Sequence, residues 1–428
     1  MKHNARDNGR ARGRRALRGA LWLAAALAVG ACDSLLDVEA PSRIPATALD
    51  DPATASLLLS GAIGDFECAL QSYVVMGGLV GEELVDATQT ADRWPYDRRS
   101  VEPSDRRYGE FACTALGVYN PLSTARWTAE NVLAKLQGWT DAQVPNRAVA
   151  IATAAAYSGY SHLLLGEAFC SGVLLDAGLQ GGGEVPRADV LRRAVARFDE
   201  AVQGAQAAGS ADVLNMALVG RARAKLNLGD KAGAAADARR VAANYAKVIT
   251  ASTTAARREN RVVEQNNNSQ AVTVGPAYRN LTFGGVADPR VRVTDTGRNA
   301  TDGNRIWVQN KYPTLATGIP LATWDEAQLI IAEVEGGQSA VNIINMFHTR
   351  AGLPAFSSTD PAAIQRQVIE ERRRELFLEG HHLGDVIRYD LALTPATGTP
   401  FAKGGTYGST TCLPLPNIEK LNNPNISG

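Results

Sequence analysis

Residues that carry chemistry are scarce in this chain. It holds five His and five Cys among 428 residues. No two Cys stand in C-x-x-C spacing, and the His are scattered apart from His381-His382, so no metal site is expected. Adjacent helical residues point about 100° apart, which makes that pair a poor joint ligand and favours a structural role for both. G-x-S-x-G does not occur, which excludes the nucleophile elbow of serine hydrolases. Gly181 to Gly183 does not fall between a strand pattern and a helix pattern, so it reads as a surface turn and not as a phosphate cradle. No cofactor is implied and no nucleophile or matched acid and base stands out, so no enzyme is expected. Past the N-terminus no apolar run approaches the roughly 18–20 residues of a bilayer-spanning helix.

A basic surplus is missing too. The formal charge of zero hides an asymmetry, because residues 1–31 hold seven Lys/Arg and one Asp. Removing them from 44 of each sign leaves 37 basic and 43 acidic residues, a net of about −6. That balance argues against nucleic acid, which needs a basic footprint.

What is present begins with an address. Lys2, Arg6, Arg10, Arg12, Arg14, Arg15 and Arg18 precede a short apolar segment, Ala20 to Val29. This is the layout of a signal peptide, too short for a membrane helix. Val29-Gly30-Ala31-Cys32 fits a bacterial lipobox, so residues 1–31 are expected to be removed and Cys32 to be lipidated. The alternative is a plain signal peptide with a chance Cys at its boundary. Two or more acyl chains on Cys32 would hold the protein on a membrane lastingly. Residues 32–51, polar with Pro41 and Pro45, read as a tether. The other cysteines, Cys68, Cys113, Cys170 and Cys412, are an even set in an exported protein and allow three disulfide connectivities. Cys68–Cys113 with Cys170–Cys412 is preferred, because the first pair brackets one loop-rich segment.

Residues 52–428 read as mostly α. Helical periodicity covers 52–70, 123–138, 146–169, 190–245 and 323–351. Trp127, Trp139 and Trp324 flank these helices and are assigned to the core. Val213 to Leu228 ends at Gly229-Asp230, where Gly supplies the turn and Asp caps the next helix. The run A-L-V-G-R-A-R-A-K-L-N-L-G-D-K-A-G-A-A from Ala217 resembles a tetratricopeptide repeat. Its Gly220, Ala222, Ala234 and Ala235 would let helices approach closely. Two stretches break the pattern, about 84–121 and about 250–322. In the second, Val262-Val263, Val272 to Val274 and Val291 to Val293 are expected as short strands.

From Asp360, a cap, and Pro361, a first-turn residue, a helix is expected through Asp390. One stripe would hold Ile369, Arg373, Leu376, Gly380, Leu383 and Ile387. The next holds Val368, Arg372, Glu375, Glu379, His382 and Val386. Charges mixed with Ile, Leu and Val imply a half-buried polar seam, with Arg372–Glu375 and Glu379–His382 as local pairs. An ordinary amphipathic surface helix is the alternative.

E-R-R-R-E-L-F-L-E-G-H, from Glu371 to His381, resembles the C-terminal signature of the SusD/RagB family of nutrient-binding outer-membrane lipoproteins. Asp385 and Arg388 match the D-x-x-R that follows it, while His382, Leu383 and Gly384 depart from the usual residues. W-D-E-A-Q-L-I-I-A-E, from Trp324, and R-A-G-L-P, from Arg350, resemble two further family elements in the right order. The resemblance implies tetratricopeptide-like helix pairs with long loop-rich insertions, at the outer membrane and facing outward. It implies glycan captured and delivered to a TonB-dependent, SusC-like transporter, with no bond broken. A peptide ligand is the alternative within the family, and a tetratricopeptide-type protein-interaction scaffold the alternative outside it.

The family's ligand contacts vary, so candidates come from chemistry. Sugars are gripped by aromatic faces ringed with Asp, Asn and Arg, which selects aromatics in polar loops. D-R-W-P-Y-D-R-R supplies Arg93, Trp94 and Tyr96. I-W-V-Q-N-K-Y, near Asp302 and Asn304, supplies Trp307 and Tyr312.

Overall fold

Helix α1, Ala55–Val80, opens the frame, and every residue from Phe66 to Val80 is buried. The computed structural model describes residues 49–426 except 111, 112, 114 and 115. The expected signal peptide, Cys32 and most of the expected tether therefore lie outside the described residues. Pro52–Gly428 forms one compact unit.

After a short turn α2 (Trp94–Asp97), antiparallel helices follow: α3 (Tyr119–Gly138), α4 (Arg147–Ala168), α5 (Arg187–Ala207), α6 (Ala211–Asn227) and α7 (Lys231–Ala238). Each packs on the next, and α1 lies across α3 and α4. The second half supplies α8 (Trp324–Glu335), α9 (Gly337–Ala351), α10 (Pro361–Glu375), α11 (His382–Tyr389) and a last turn, α12 (Asn417–Asn422).

Close approach in the tetratricopeptide-like part is a glycine effect. Phe198 of α5 stands edge-on to Tyr160 of α4, with centroids 5.0 Å apart. A Cβ on Gly159 would lie 2.8 Å from the Phe198 ring, and one on Gly220 would strike both rings. Gly229 is left-handed at φ +80°, and Asp230 accepts the Gly233 N–H at 2.9 Å, so both expected terminal signals act.

Four expectations about chain course are corrected. The helix from Asp360 begins as expected, with Asp360 accepting the Ala362 and Ala363 N–H groups at 3.1 Å. It stops at Glu375, because Leu378 (φ 56°) and Gly380 (φ +80°) reverse the chain before α11. Val262-Val263 is helical and runs into a π-helix, Val263–Asn268, while Val291 precedes its strand. Gly181 to Gly183 opens a strand that leads straight into α5. Glycine there admits Asn423 and Asn425, whose amides donate to the Gly182 and Gly181 carbonyls at 2.9 and 2.7 Å. Finally, α1 with the turn before it and α4 are long and apolar enough to cross a membrane by length and composition. They pack as core helices, since Ala154 to Ala168 of α4 is buried without a break.

Trp127 is also corrected, being 43% exposed on α3, whereas Trp139 and Trp324 pack against the core. The strands are short antiparallel pairs: β1 (Leu84–Asp86) with β5 (Val272–Val274), β2 (Ser171–Leu175) with β3 (Gly181–Pro186), and β4 (Ala246–Val248) with β10 (Pro320–Thr323). β6 (Thr282–Phe283) pairs with β7 (Val286–Ala287), and β8 (Val293–Asn299) with β9 (Arg305–Gln309). Cys68 joins Cys113 and Cys170 joins Cys412, with Cα atoms 5.7 and 5.1 Å apart, which is the preferred connectivity.

Gly220→Ala should cost about 1–3 kcal/mol by overpacking. Gly61→Ala, on open space in α1, should be neutral or stabilising by roughly 0.5–1 kcal/mol. Denaturant midpoints for both variants check this, and an unchanged midpoint for Gly220→Ala would remove the close-approach argument.

Candidate functional site

The turn between α10 and α11 fastens both irregular stretches to the helical frame. Apart from Glu370 with Arg373 and Arg374, and Asp385 with Arg388, its charges pair across the chain reversal or with other segments, which corrects the expected Arg372–Glu375 and Glu379–His382 pairs. Arg372 meets Asp385 at 2.9 Å, and Lys311 meets Glu379 at 2.7 Å. Arg374 meets Asp288 at 3.0 Å, and Arg290 bridges Asp288 to Glu371. The Leu378 N–H donates to Glu83 at 2.7 Å, while the Leu378 carbonyl accepts the Tyr312 hydroxyl at 3.0 Å. Burial would raise the Asp385 carboxyl, but Arg372 and Arg388 beside it hold it at about 2.

On this base the segments carrying Trp94 and Trp307 come together. β1 pairs with β5, and the Thr273 hydroxyl accepts the Trp307 backbone N–H at 2.8 Å. The π-helix bridges them from the other side. Its Gln265 accepts from Arg93 at 2.8 Å, and its Asn266 amide donates to the Trp307 carbonyl at 3.0 Å. π-helical turns gather at functional sites more often than elsewhere.

At the centre sits a buried acid cluster. Asp86 binds Arg93 at 2.9 Å and Lys403 at 3.0 Å, and Lys403 reaches on to Asp302 at 2.8 Å. Asn304 donates to the same Asp302 carboxylate at 2.8 Å. Asp97 accepts the Asp86 N–H at 3.3 Å, and burial pushes its carboxyl up to about 7 against the pull of Lys403.

Of the five ligand candidates, three keep partial exposure. Arg93 is half-buried, with its guanidinium spent on Asp86 and Gln265. Trp94 is half-buried, edge-on to Phe401 at 6.2 Å, and its indole N–H has no acceptor among the described residues. Trp307 is half-buried, with Arg279 5.4 Å from its ring centre. Tyr96 and Tyr312 belong to the core at 2% and 3% exposure. Their hydroxyls serve the carbonyls of Leu116 and Leu378, so they are packing residues and not ligand contacts.

Sequence reading missed the third wall, the strap from Thr394 to Thr410. Phe401 stacks edge-on against Tyr407 at 5.2 Å, and Arg99 lies 4.8 Å from the Tyr407 ring. The only signal was aromatic residues in a Gly- and Thr-rich stretch after the signature. A separate cavity of about 800 Å³ lies among helix ends, lined by Arg187, Leu191, Leu226 and Arg388 and by none of the five candidates.

The chain is similar to SusD proteins in fold and in its C-terminal sequence. Residues 326–412 match the SusD family model, which takes in the signature turn and the strap. Among solved structures it is similar to a SusD superfamily protein from Bacteroides vulgatus, at 13% identity over 88% of this chain and 98% of that one, with a TM-score of 0.68. A laminarin-binding SusD-like protein matches at 16% identity over 88% and 98%, with a TM-score of 0.64. Surface glycan-binding protein A from Bacteroides thetaiotaomicron, solved with laminarihexaose, matches at 12% over 87% and 98%, with a TM-score of 0.65. A sequence comparison with characterised proteins finds no match.

Asp97 gives a pH test. With the folded carboxyl raised to about 7 and the unfolded one near 4, the native state holds the extra proton and stability is lost as pH rises between these values. Asp97→Asn mimics the protonated form. Melting temperatures from pH 4 to 8 should diverge in the variant's favour up to about pH 7 and run parallel above it. A constant offset across the range would contradict the assignment.

Proposed function

We propose that this chain is a lipoprotein, anchored through Cys32 at the outer-membrane surface, that captures an oligosaccharide and passes it intact to a SusC-like TonB-dependent transporter. The observation that carries the reading is that half-buried Trp94 and Tyr407, both packed on Phe401, stand beside a pinned polar cluster that the π-helix ties to the Trp307 strand, on a SusD-like frame. Half-buried aromatic faces offer apolar area to C–H-rich sugar rings. Asn304, paired with Asp302 at 2.8 Å, stands in that cluster for a sugar hydroxyl. Two relatives of the same fold are described as binding laminarin or laminarihexaose, which supports glycan as the ligand class here.

Calorimetric titration with a panel of neutral oligosaccharides, laminarihexaose included, tests this. At least one should bind saturably and be recovered uncleaved. Trp94→Ala and Trp307→Ala should each weaken it by roughly tenfold, about 1.4 kcal/mol. Unchanged affinity in both variants would refute the site, and release of shorter sugars would refute the non-catalytic reading.

A further inference from the structure

The cavity among the helix ends carries charge that the fold leaves unanswered. It opens between the start of α5, the end of α6 with the turn after it, and α11. Four cations line it, Arg187, Arg192, Lys231 and Arg388, against one carboxylate, Glu333. Two of the four are matched. Arg388 is held by Glu333 and by Asp385, and Arg192 by Asp189. The other two are not. Arg187 donates its Nε to the Gly166 carbonyl, and its terminal nitrogens meet no carboxylate among the described residues. Glu167, whose charge Arg187 feels, is already gripped by Arg223 at 2.6 Å and Asn227 at 2.8 Å. Lys231 is exposed and forms no ion pair among the described residues.

Helix α5 adds to this field, since it follows Pro186, which supplies no capping side chain. Its first N–H groups contribute the positive end of a helix dipole. Leu191, Leu226 and Ile387 give the cavity apolar walls. Apolar sides with a few placed polar groups, in a volume of about 300–1,000 Å³, are what small-ligand sites share. The exported part of the chain is net acidic, so this basic hollow stands against the general charge.

We propose that this cavity is a second ligand site, selective for a carboxylate-bearing oligosaccharide whose uronate group is held by Arg187 and Lys231. An extended peptide would need a strand edge for its backbone. Among the lining residues only Pro186 lies in a strand, and proline has no N–H to offer. The ligand class rests on the glycan reading above, but the location does not.

The test is titration of the full chain with a galacturonate trisaccharide, its neutral galactose counterpart and a tri-aspartate peptide. The acidic sugar should bind, weaken several-fold as salt is raised from low to physiological strength, and resist displacement by the neutral oligosaccharide that binds the loop cluster. Arg187→Gln should weaken it roughly tenfold. Lys231→Glu, an exposed charge reversal that leaves the fold intact, should weaken it at least tenfold and decides the matter if Arg187→Gln does not fold. No binding of the acidic sugar, equal binding of its neutral counterpart, tighter binding of the peptide, or indifference to Lys231→Glu would each overturn the proposal. Failure of neutral oligosaccharides alone would count against the loop cluster and not against this cavity.

Discussion

A charge taken into a protein interior must find a partner there, and breaking such a pair costs about 3–5 kcal/mol. In this protein that rule is enforced hardest at the turn between α10 and α11, where Glu371, Arg372, Glu379 and Asp385 are all buried. Arg372 and Asp385 hold each other across the chain reversal, and the other partners come from further away. Lys311, Arg290 and Asp288 belong to the second irregular stretch, and Glu83 stands at the threshold of the first. The signature run thus does its work by position. It is the rigid post to which two long loops are tied, and it needs no chemistry of its own.

From that post outward, order is maintained by polar pairing more than by sheet. The strands are two to seven residues long and only paired, so they cannot by themselves hold 250–322 in place. Lys403 and the π-helix complete the fastening, one from the C-terminal strap and one from within the insertion. The result is a helical frame with a loop surface whose aromatic groups are fixed before any ligand arrives. Preorganised groups lose less entropy on binding, which suits capture of a flexible chain.

The helical half was legible because its signals are local. Asp360-Pro361, Gly229-Asp230 and the small residues at Gly220 each act within one or two turns, and the structure uses all of them. The errors share the opposite cause. Nothing near Arg372 says that its partner is Asp385, across a chain reversal. The reversal itself depends on Leu378 adopting φ 56°, a strain repaid by its hydrogen bond to Glu83. Tyr96 and Tyr312 sit in polar sequence yet face inward, since distant carbonyls satisfy their hydroxyls. Trp127 shows the reverse, an aromatic on a helix that is left 43% exposed. Strap residues Phe401, Lys403 and Tyr407 were invisible because their roles come from segments some 300 residues away in sequence.

On the proposed function, loops grip the cargo while the frame stays still. Hydrogen–deuterium exchange with and without a bound neutral oligosaccharide tests this most directly. Protection is expected at residues 86–98, 301–309 and 399–407, with α3 to α7 unchanged. Protection confined to the helices, or none at all under saturating ligand, would contradict it.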